Sequence, residues 1–311
     1  MIEEIVNIPL PVEERFRIRK NVIQNGPGKR ICVVTGIHGD ELEGQYVCFL
    51  LSQILNRQKQ KLHGSVEIYP AVNPLGIDSI QRGIPGFDMD MNRTFPGSEL
   101  GDMADFVARR LVEDVSGADV VFDIHASNIF LTEIPQIRIN EQHRDSLVPL
   151  AQQANVDFIW VHGANTVLES TLAYSLNSTG TPCLVVEMGV GMRLTGEYGQ
   201  QLTTGILNVM KFLGMWDGEV SPVRTPLLCG KTEEVEFLNA PCSGMFMKTK
   251  NHGTWVKKGE TVGYIFDPFT GEVIEYVNAS KSGLLFTIRE YPLVDEGSLM
   301  GRILVREAHQ L

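Results

Sequence analysis

The sequence predicts an α/β fold with a mostly parallel or mixed sheet, followed by a smaller region built of strands. Short apolar, β-branched runs alternate with helical patterns up to about residue 213, as they do in sheets that carry helices on both faces. After Gly218 the strand-like pieces are short, glycines recur and no long helical pattern remains. We therefore expect one domain over residues 1–220 and a second over residues 221–311.

The elements of the first domain follow from apolar spacing and from turn residues. Arg30–Thr35 reads as a buried strand, and a proline-free helical pattern follows from Glu41 to about Lys61. Residues 70–97 form a loop rich in Gly, Pro and Asp, and loops of this length are uncommon unless they line a site. The other predicted elements are strands at 65–69, 118–125, 137–139, 158–161 and 182–187 and helices at 98–115, 144–154 and 198–213.

The second region contains an internal near-repeat. Ala240–Phe246 is similar to Ala279–Phe286, and Gly259 and Gly263 are matched by Gly297 and Gly301 at nearly the same offset. Such a repeat predicts two similar β units packed as a small sandwich or barrel.

Composition narrows the class of protein. The 311 residues carry a net charge of −11 with no basic cluster, which argues against nucleic acid or an anionic membrane as partner. No apolar run is long enough to span a bilayer, and the acidic start lacks the order of a signal peptide. Five cysteines, an odd number, fit reduced core thiols. We expect a cytoplasmic enzyme or binding protein.

His38 and Glu41 lie in the turn after the first strand, a place where open α/β sheets bind ligands. Imidazole nitrogen and carboxylate oxygen both suit zinc, so the pair is a candidate metal site. The alternative is that Glu41 only favours the positive end of the helix dipole.

His125 ends another buried strand and is the candidate third ligand, with Asp123 placed to hold its ring. Two His and one Glu with an open fourth position are typical of a catalytic zinc site. The remaining histidines are expected to be solvated or satisfied by neighbours: His63, His143, His162, His252 and His309.

Glu187 closes an apolar strand, where a carboxylate is costly to bury without a task. It is the candidate general base for a metal-activated water. The alternative is a capping or salt-bridged carboxylate.

The long loop supplies cations. Arg82 and Arg93 are candidates for stabilising an oxyanion and for clamping a substrate carboxylate, with Asn92 as an amide donor. Ordinary surface salt bridges are the alternative for both arginines.

Five ordered motifs resemble the succinylglutamate desuccinylase/aspartoacylase family of the zinc carboxypeptidase superfamily, over nearly the whole chain. They are Gly36-x-His38-Gly39-x-Glu41, Asn73-Pro74, Asn92-Arg93, Asp123-Ile124-His125 and Val186-Glu187-Met188-Gly189.

The resemblance implies a zinc-carboxypeptidase-like α/β domain followed by a β domain, with one zinc ion per chain. It implies that His38, Glu41 and His125 bind the zinc and that Glu187 is the general base and acid. Arg82 would polarise the scissile carbonyl, and Asn92 with Arg93 would hold the substrate carboxylate.

The chain departs from the family in one region. Aspartoacylase has an arginine about ten residues before the catalytic glutamate, whereas residues 173–180 here contain none. The sequence is closer to the bacterial branch, which includes deacylases of other N-acylated amino acids such as N-acetyl-diaminobutyrate. Arg138 is a candidate for the substrate-binding role.

Residues 253–265 look like part of a biotinyl/lipoyl carrier domain. The following hairpin tip, residues 267–272, has no lysine to modify, which argues against a carrier. This region is expected to shape the mouth of the active site or to form an oligomer contact.

The leading hypothesis is a zinc-dependent amidohydrolase that deacylates a small N-acyl amino acid bearing a carboxylate. A metallocarboxypeptidase acting on short peptides is the second hypothesis, because the same clamp would hold a C-terminal carboxylate. A metal-binding or carrier protein without activity is the third, and Glu187 argues against it.

Overall fold

The computed structural model describes residues 1–86, 89–163, 169–231 and 234–306. The predicted surface histidine His309 lies outside the described residues. Within them, no helix combines the length and the apolar character needed to cross a bilayer.

The strands lie throughout the described chain: β1 (Ile2–Pro9), β2 (Arg15–Asn25), β3 (Arg30–Thr35), β4 (Gly64–Tyr69), β5 (Val120–His125), β6 (Leu131–Asn140), β7 (Phe158–His162), β8 (Cys183–Gly189), β9 (Leu227–Cys229), β10 (Val235–Asn239), β11 (Gly244–Lys248), β12 (Thr254–Val256), β13 (Thr261–Asp267), β14 (Glu272–Asn278), β15 (Gly283–Arg289), β16 (Leu293–Val294) and β17 (Leu299–Val305). The α-helices all precede residue 213: α1 (Glu43–Arg57), α2 (Pro74–Ser79), α3 (Met103–Val115), α4 (Arg144–Ala151), α5 (Leu172–Ser178) and α6 (Gly196–Phe212).

Each helix and strand predicted between residues 30 and 213 is present, with shifted ends. Three details differ from the prediction. The first helix begins at Glu43, so Glu41 lies in the turn before it. The long loop contains the short helix α2, which Asn73 caps by accepting a hydrogen bond from the amide of Gly76. Helix α5 was not predicted, because seven residues carry too little periodicity.

A mixed sheet forms the centre of the fold, as predicted, and it has 13 strands within the described residues. Strands β4, β3, β5 and β8 lie side by side in parallel. Helices α1, α4 and α6 cover one face of the sheet, where Val47, Leu147 and Ile206 are buried. Helices α3 and α5 cover the other face with Leu111 and Leu172.

The C-terminal region is built of strands, and it is continuous with the central sheet. Strand β15 pairs with β6 through Thr287 opposite Glu133, and β9 pairs with β7. A separate four-stranded sheet, β14-β13-β11-β16, packs on this end, since buried residues of both sheets such as Ile265 and Ile303 share one core. The division at residue 220 stays a prediction.

The near-repeat is visible in the pairing of these strands. Strand β11 pairs with β13 in the first unit, and β15 pairs with β17 in the second. The short strand of each unit pairs with the other unit: β12 pairs with β15, and β16 pairs with β11. Gly259 and Gly297 both have a φ of 83°, a conformation that favours glycine. Two similar β units therefore pack against each other.

Helix α6 offers a test of the packing on the first face. A Cβ at Gly205 would lie 1.8 Å from the carbonyl oxygen of Ala154, whereas one at Gly196 would meet nothing within 4 Å. We expect Gly205→Ala to lower the free energy of unfolding by about 2–3 kcal/mol. Gly196→Ala should change it by less than about 1 kcal/mol. Urea unfolding measures both, and equal effects would contradict the packing described.

Candidate active site

Three donor atoms meet at the carboxyl edge of the parallel strands. Glu41 places Oε1 2.9 Å from Nδ1 of His38 and Oε2 3.0 Å from Nδ1 of His125. The two Nδ1 atoms are 3.2 Å apart, and all three side chains are buried. Among the described residues, this is the group of His, Cys, Asp and Glu side chains that could hold a metal ion.

The geometry of the three donors fits a small divalent cation. A tetrahedral ion with bonds of about 2.0–2.1 Å separates its donors by about 3.3 Å, close to the spacing here. Two nitrogens and one carboxylate oxygen are donors that catalytic zinc sites use, and all three residues line a cavity. The three predicted ligands thus lie together, and their binding of a metal stays a prediction.

A carboxylate lies beside the outer nitrogen of each imidazole. Asp90 places Oδ1 3.0 Å from Nε2 of His38, and Asp123 places Oδ1 3.1 Å from Nε2 of His125. The contact between Asp90 and His38 is a hydrogen bond, and such a partner keeps the proton on Nε2 and leaves the lone pair of Nδ1 for a metal. The carboxylate of Asp123 lies within ion-pair distance of His125 but makes no hydrogen bond to it. Although burial opposes it, Glu41 and Asp90 raise the pKa of His38.

Asp90 was not identified from the sequence. It lies 52 residues from His38 along the chain, in the loop, and it also accepts hydrogen bonds from Nε of Arg82 and from the amide of Asn92. In the sequence, Asp90 is simply an Asp in a loop, two residues before Asn92. Because Asp is common in turns, this position alone does not indicate a contact with His38.

Glu187 stands next to the donor cluster, because β8 pairs with β5 so that Glu187 is opposite His125. Burial raises the pKa of its carboxyl, and Arg138 acts against that rise. Arg138 places Nη1 3.2 Å from Oε1 of Glu187 and donates from Nη2 to Glu133. Glu187 is therefore both a site carboxylate and a salt-bridge partner.

The two loop arginines differ in their contacts. Arg82 donates from Nη1 to Glu41 at 2.9 Å and from Nε to Asp90, so it is attached to the donor cluster. Arg93 is exposed, donates from Nη1 to the carbonyl of Asn92, and has no carboxylate within ion-pair distance among the described residues. Of the two loop arginines, Arg93 is therefore the one without an ion pair among the described residues.

Backbone contacts place the loop against the cluster. The amide of Gly39 donates to the carbonyl of Arg82, and Asn73 donates to that of Gly83. A Cβ at Gly39 would lie 2.0 Å from the backbone of Gly76, so the two segments touch closely. Asn92 accepts a hydrogen bond from the amide of Leu172 and ties the loop to α5.

A cavity of about 300 Å³ opens beside the cluster. All the predicted site residues line it, and it also includes residues that were not predicted. These are Ser127, Asn128, Asn140, His143, His162, Tyr174, Asn177 and Arg302 among others. His143 and His162 were expected to be ordinary solvated or satisfied histidines, whereas His63 and His252 do pair with Asp217 and Tyr198 away from the cavity.

Comparison with known proteins identifies the family. The model of the succinylglutamate desuccinylase/aspartoacylase catalytic domain matches residues 27–213, more than half of the chain. The chain belongs to this family. The resemblance drawn from the five motifs is thereby confirmed.

Relatives in this family cover most of the chain. The N-alpha-acetyl-L-2,4-diaminobutyric acid deacetylase of Halomonas elongata is 25% identical over 283 residues, 87% of this chain and 80% of that protein. The product-bound ectoine utilization protein EutE (DoeB) of Ruegeria pomeroyi superposes with a TM-score of 0.84 at 20% identity, covering 98% and 95% of the two chains. A succinylglutamate desuccinylase from Silicibacter sp. TM1040 superposes with a TM-score of 0.85 at 22% identity, again covering 98% and 95% of the two chains. Both structures share the fold.

The contact between Asp90 and His38 generates a prediction about metal binding. We expect Asp90→Asn to weaken the binding of one zinc ion per chain by about 10- to 100-fold, because the ring of His38 loses its carboxylate partner. Competition with a chromophoric chelator measures the affinity. Asp217→Asn, which removes the exposed partner of His63, is the matched control and should leave it unchanged. Equal affinities in both variants would contradict the assignment of Asp90.

Proposed function

We propose that the protein is a zinc-dependent amidohydrolase that removes the acyl group from a small N-acylated amino acid. The observation that carries this proposal is the convergence of His38, Glu41 and His125 next to the Glu187 carboxylate, in a cavity of small-molecule size. The named activity of the Halomonas relative, a deacetylase of an N-acetylated amino acid, supports the same reaction class.

His38, Glu41 and His125 would hold the metal. When bound, a divalent ion supplies a Lewis acid that polarises the amide carbonyl and makes water easier to deprotonate. Nitrogen and oxygen donors also accept other divalent ions, so zinc is the proposed rather than the necessary metal.

Glu187 is proposed as the proton carrier. Its carboxylate accepts a proton as the water oxygen bonds to the acyl carbon, and it then gives that proton to the departing nitrogen. The C–N bond breaks, and the products are a carboxylate and a free amine. Burial, which raises the pKa of Glu187, suits a group that must both accept and return a proton.

The loop residues are proposed to bind and polarise the substrate. Arg82, through the N–H groups not given to Glu41 and Asp90, would stabilise the negative charge that develops on the carbonyl oxygen. Arg93, which has no carboxylate within ion-pair distance among the described residues, would bind the substrate carboxylate, assisted by Asn92. Arg138 is less suited to binding the substrate carboxylate, since its guanidinium already forms ion pairs with Glu133 and Glu187.

The residues of the cavity wall indicate which substrates the site would accept. Helix α5 contributes Tyr174 and Asn177 where aspartoacylase has an arginine for the second carboxylate. We therefore propose a substrate with one carboxylate, and N-acetylaspartate and N-succinylglutamate are poor candidates. Hydrolysis of short peptides remains the second candidate, because Arg93 would hold a C-terminal carboxylate equally well.

Removing the proton carrier tests the mechanism. Glu187→Gln keeps the shape of the side chain, and we expect kcat to fall by about 10²- to 10⁴-fold with zinc content unchanged. The assay is amine release from a panel of N-acetyl amino acids and dipeptides. Full activity in the variant would exclude the proposed mechanism. Faster release from dipeptides by the unmodified protein would favour the peptidase.

The carboxylate clamp is tested separately. Arg93→Ala removes a charge-assisted contact, and we expect KM to rise by about 10- to 100-fold. Arg224, an exposed arginine paired with Asp157, provides the matched control as Arg224→Ala. If KM stays within twofold of the unmodified value in both variants, Arg93 does not bind the carboxylate.

A further inference from the structure

A chain of four alternating charges runs from the C-terminal strands to the proposed base. Arg302 on β17 donates from Nη1 to Oε1 of Glu133 at 2.5 Å. Glu133 on β6 accepts from Nη2 of Arg138 at 2.8 and 3.1 Å, and Nη1 of Arg138 faces Glu187 at 3.2 Å. Thr287 on β15 also donates to Glu133, at 2.9 Å.

Glu133 is the centre of this chain and is fully buried. A buried carboxylate is costly unless charged partners and hydrogen bonds satisfy it, and here two arginines and a hydroxyl do so. Two guanidinium groups balance two carboxylates along the chain. The proposed mechanism gives Glu133 no task.

Packing holds the two arginines in place. The guanidinium of Arg138 lies 5.8 Å from the centre of the Trp160 ring, and that of Arg302 lies 6.0 Å from the same ring. All the residues involved stand on strands of one sheet, which limits their movement. The side chains therefore have few alternative positions.

The division of the Arg138 donors has a chemical consequence. An arginine left alone with a carboxylate binds both of its oxygens with two parallel hydrogen bonds. Because Glu133 engages Nη2, the nearest contact between Arg138 and Glu187 is an ion pair from Nη1 to Oε1 at 3.2 Å. The Oε2 atom of Glu187 is thereby left to accept a proton.

We infer that Glu133 is a positioning residue, which through Arg138 holds Glu187 with one oxygen free for proton transfer. The inference rests on the proposed function of Glu187. It makes the C-terminal strands β15 and β17 part of the catalytic apparatus, since Thr287 and Arg302 anchor Glu133.

Kinetics of charge-removing variants test this inference. We expect Glu133→Gln to lower kcat by about 10- to 100-fold, with KM within about twofold and zinc content unchanged. In a protein that already carries Arg138→Gln, the same change should lower kcat by less than threefold, because Glu133 acts through Arg138. Independent, multiplicative losses would overturn the inference, as would unchanged kcat in Glu133→Gln.

Glu67 supplies the matched control. It is a buried glutamate on β4 that also contacts two cations, Lys20 at 2.9 Å and Arg30 at 3.4 Å, and it does not line the cavity. Glu67→Gln should lower the melting temperature yet leave kcat within twofold. A loss of kcat as large as that of Glu133→Gln would overturn the inference, because the effect would then follow from removing any buried glutamate.

A crystal structure of Glu133→Gln separates this inference from the proposed function. We expect both nitrogens of Arg138 to turn onto both oxygens of Glu187; an unmoved Arg138 would overturn the inference. Should Glu133→Gln not fold, the charge-balanced Glu133→Gln/Arg302→Gln protein serves for both measurements, with the same results expected. An unmodified protein inactive on every substrate of the panel would refute the proposed function, while the crystal structure would still decide the role of Glu133.

Discussion

Parallel pairing of β3, β5 and β8 is the constraint on which the site depends. It brings the carboxyl ends of three strands, far apart in the chain, to one edge of the sheet. His125 ends β5, Glu187 lies two residues before the end of β8, and His38 and Glu41 lie in the turn after β3. The same pairing buries Val33, Phe122 and Leu184 against the helices on one face. The pairing that forms the core therefore also brings the residues of the donor cluster together.

Strand ends could be predicted from the sequence, and contacts between distant side chains could not. Apolar runs such as Arg30–Thr35 have a local signal, so His38, His125 and Glu187 were placed by the pattern that precedes them. Glu133 and Arg302 are 169 residues apart, and no local pattern relates them. Asp90 depends on the path of a loop. Short helices such as α5 carry too few turns to show periodicity.

Electrostatic pairing divides the cations of the cavity into two kinds. Arg82 and Arg138 are engaged by carboxylates of the protein, so they organise the site before any ligand arrives. Arg93 has no such partner among the described residues, and an anion from outside meets it without having to displace another. This difference is the reason for proposing Arg93 as the contact for an anionic group of the substrate.

The unbroken sheet has a consequence for anyone who shortens the protein. A chain ending at residue 220 would leave the β6 backbone at residues 131–133 with an open edge, ready to pair with another molecule. Glu133 would keep its hydrogen bonds from Arg138 but lose those from Thr287 and Arg302. We expect such a truncated chain to be prone to aggregation and to have a disturbed charge balance around Glu133.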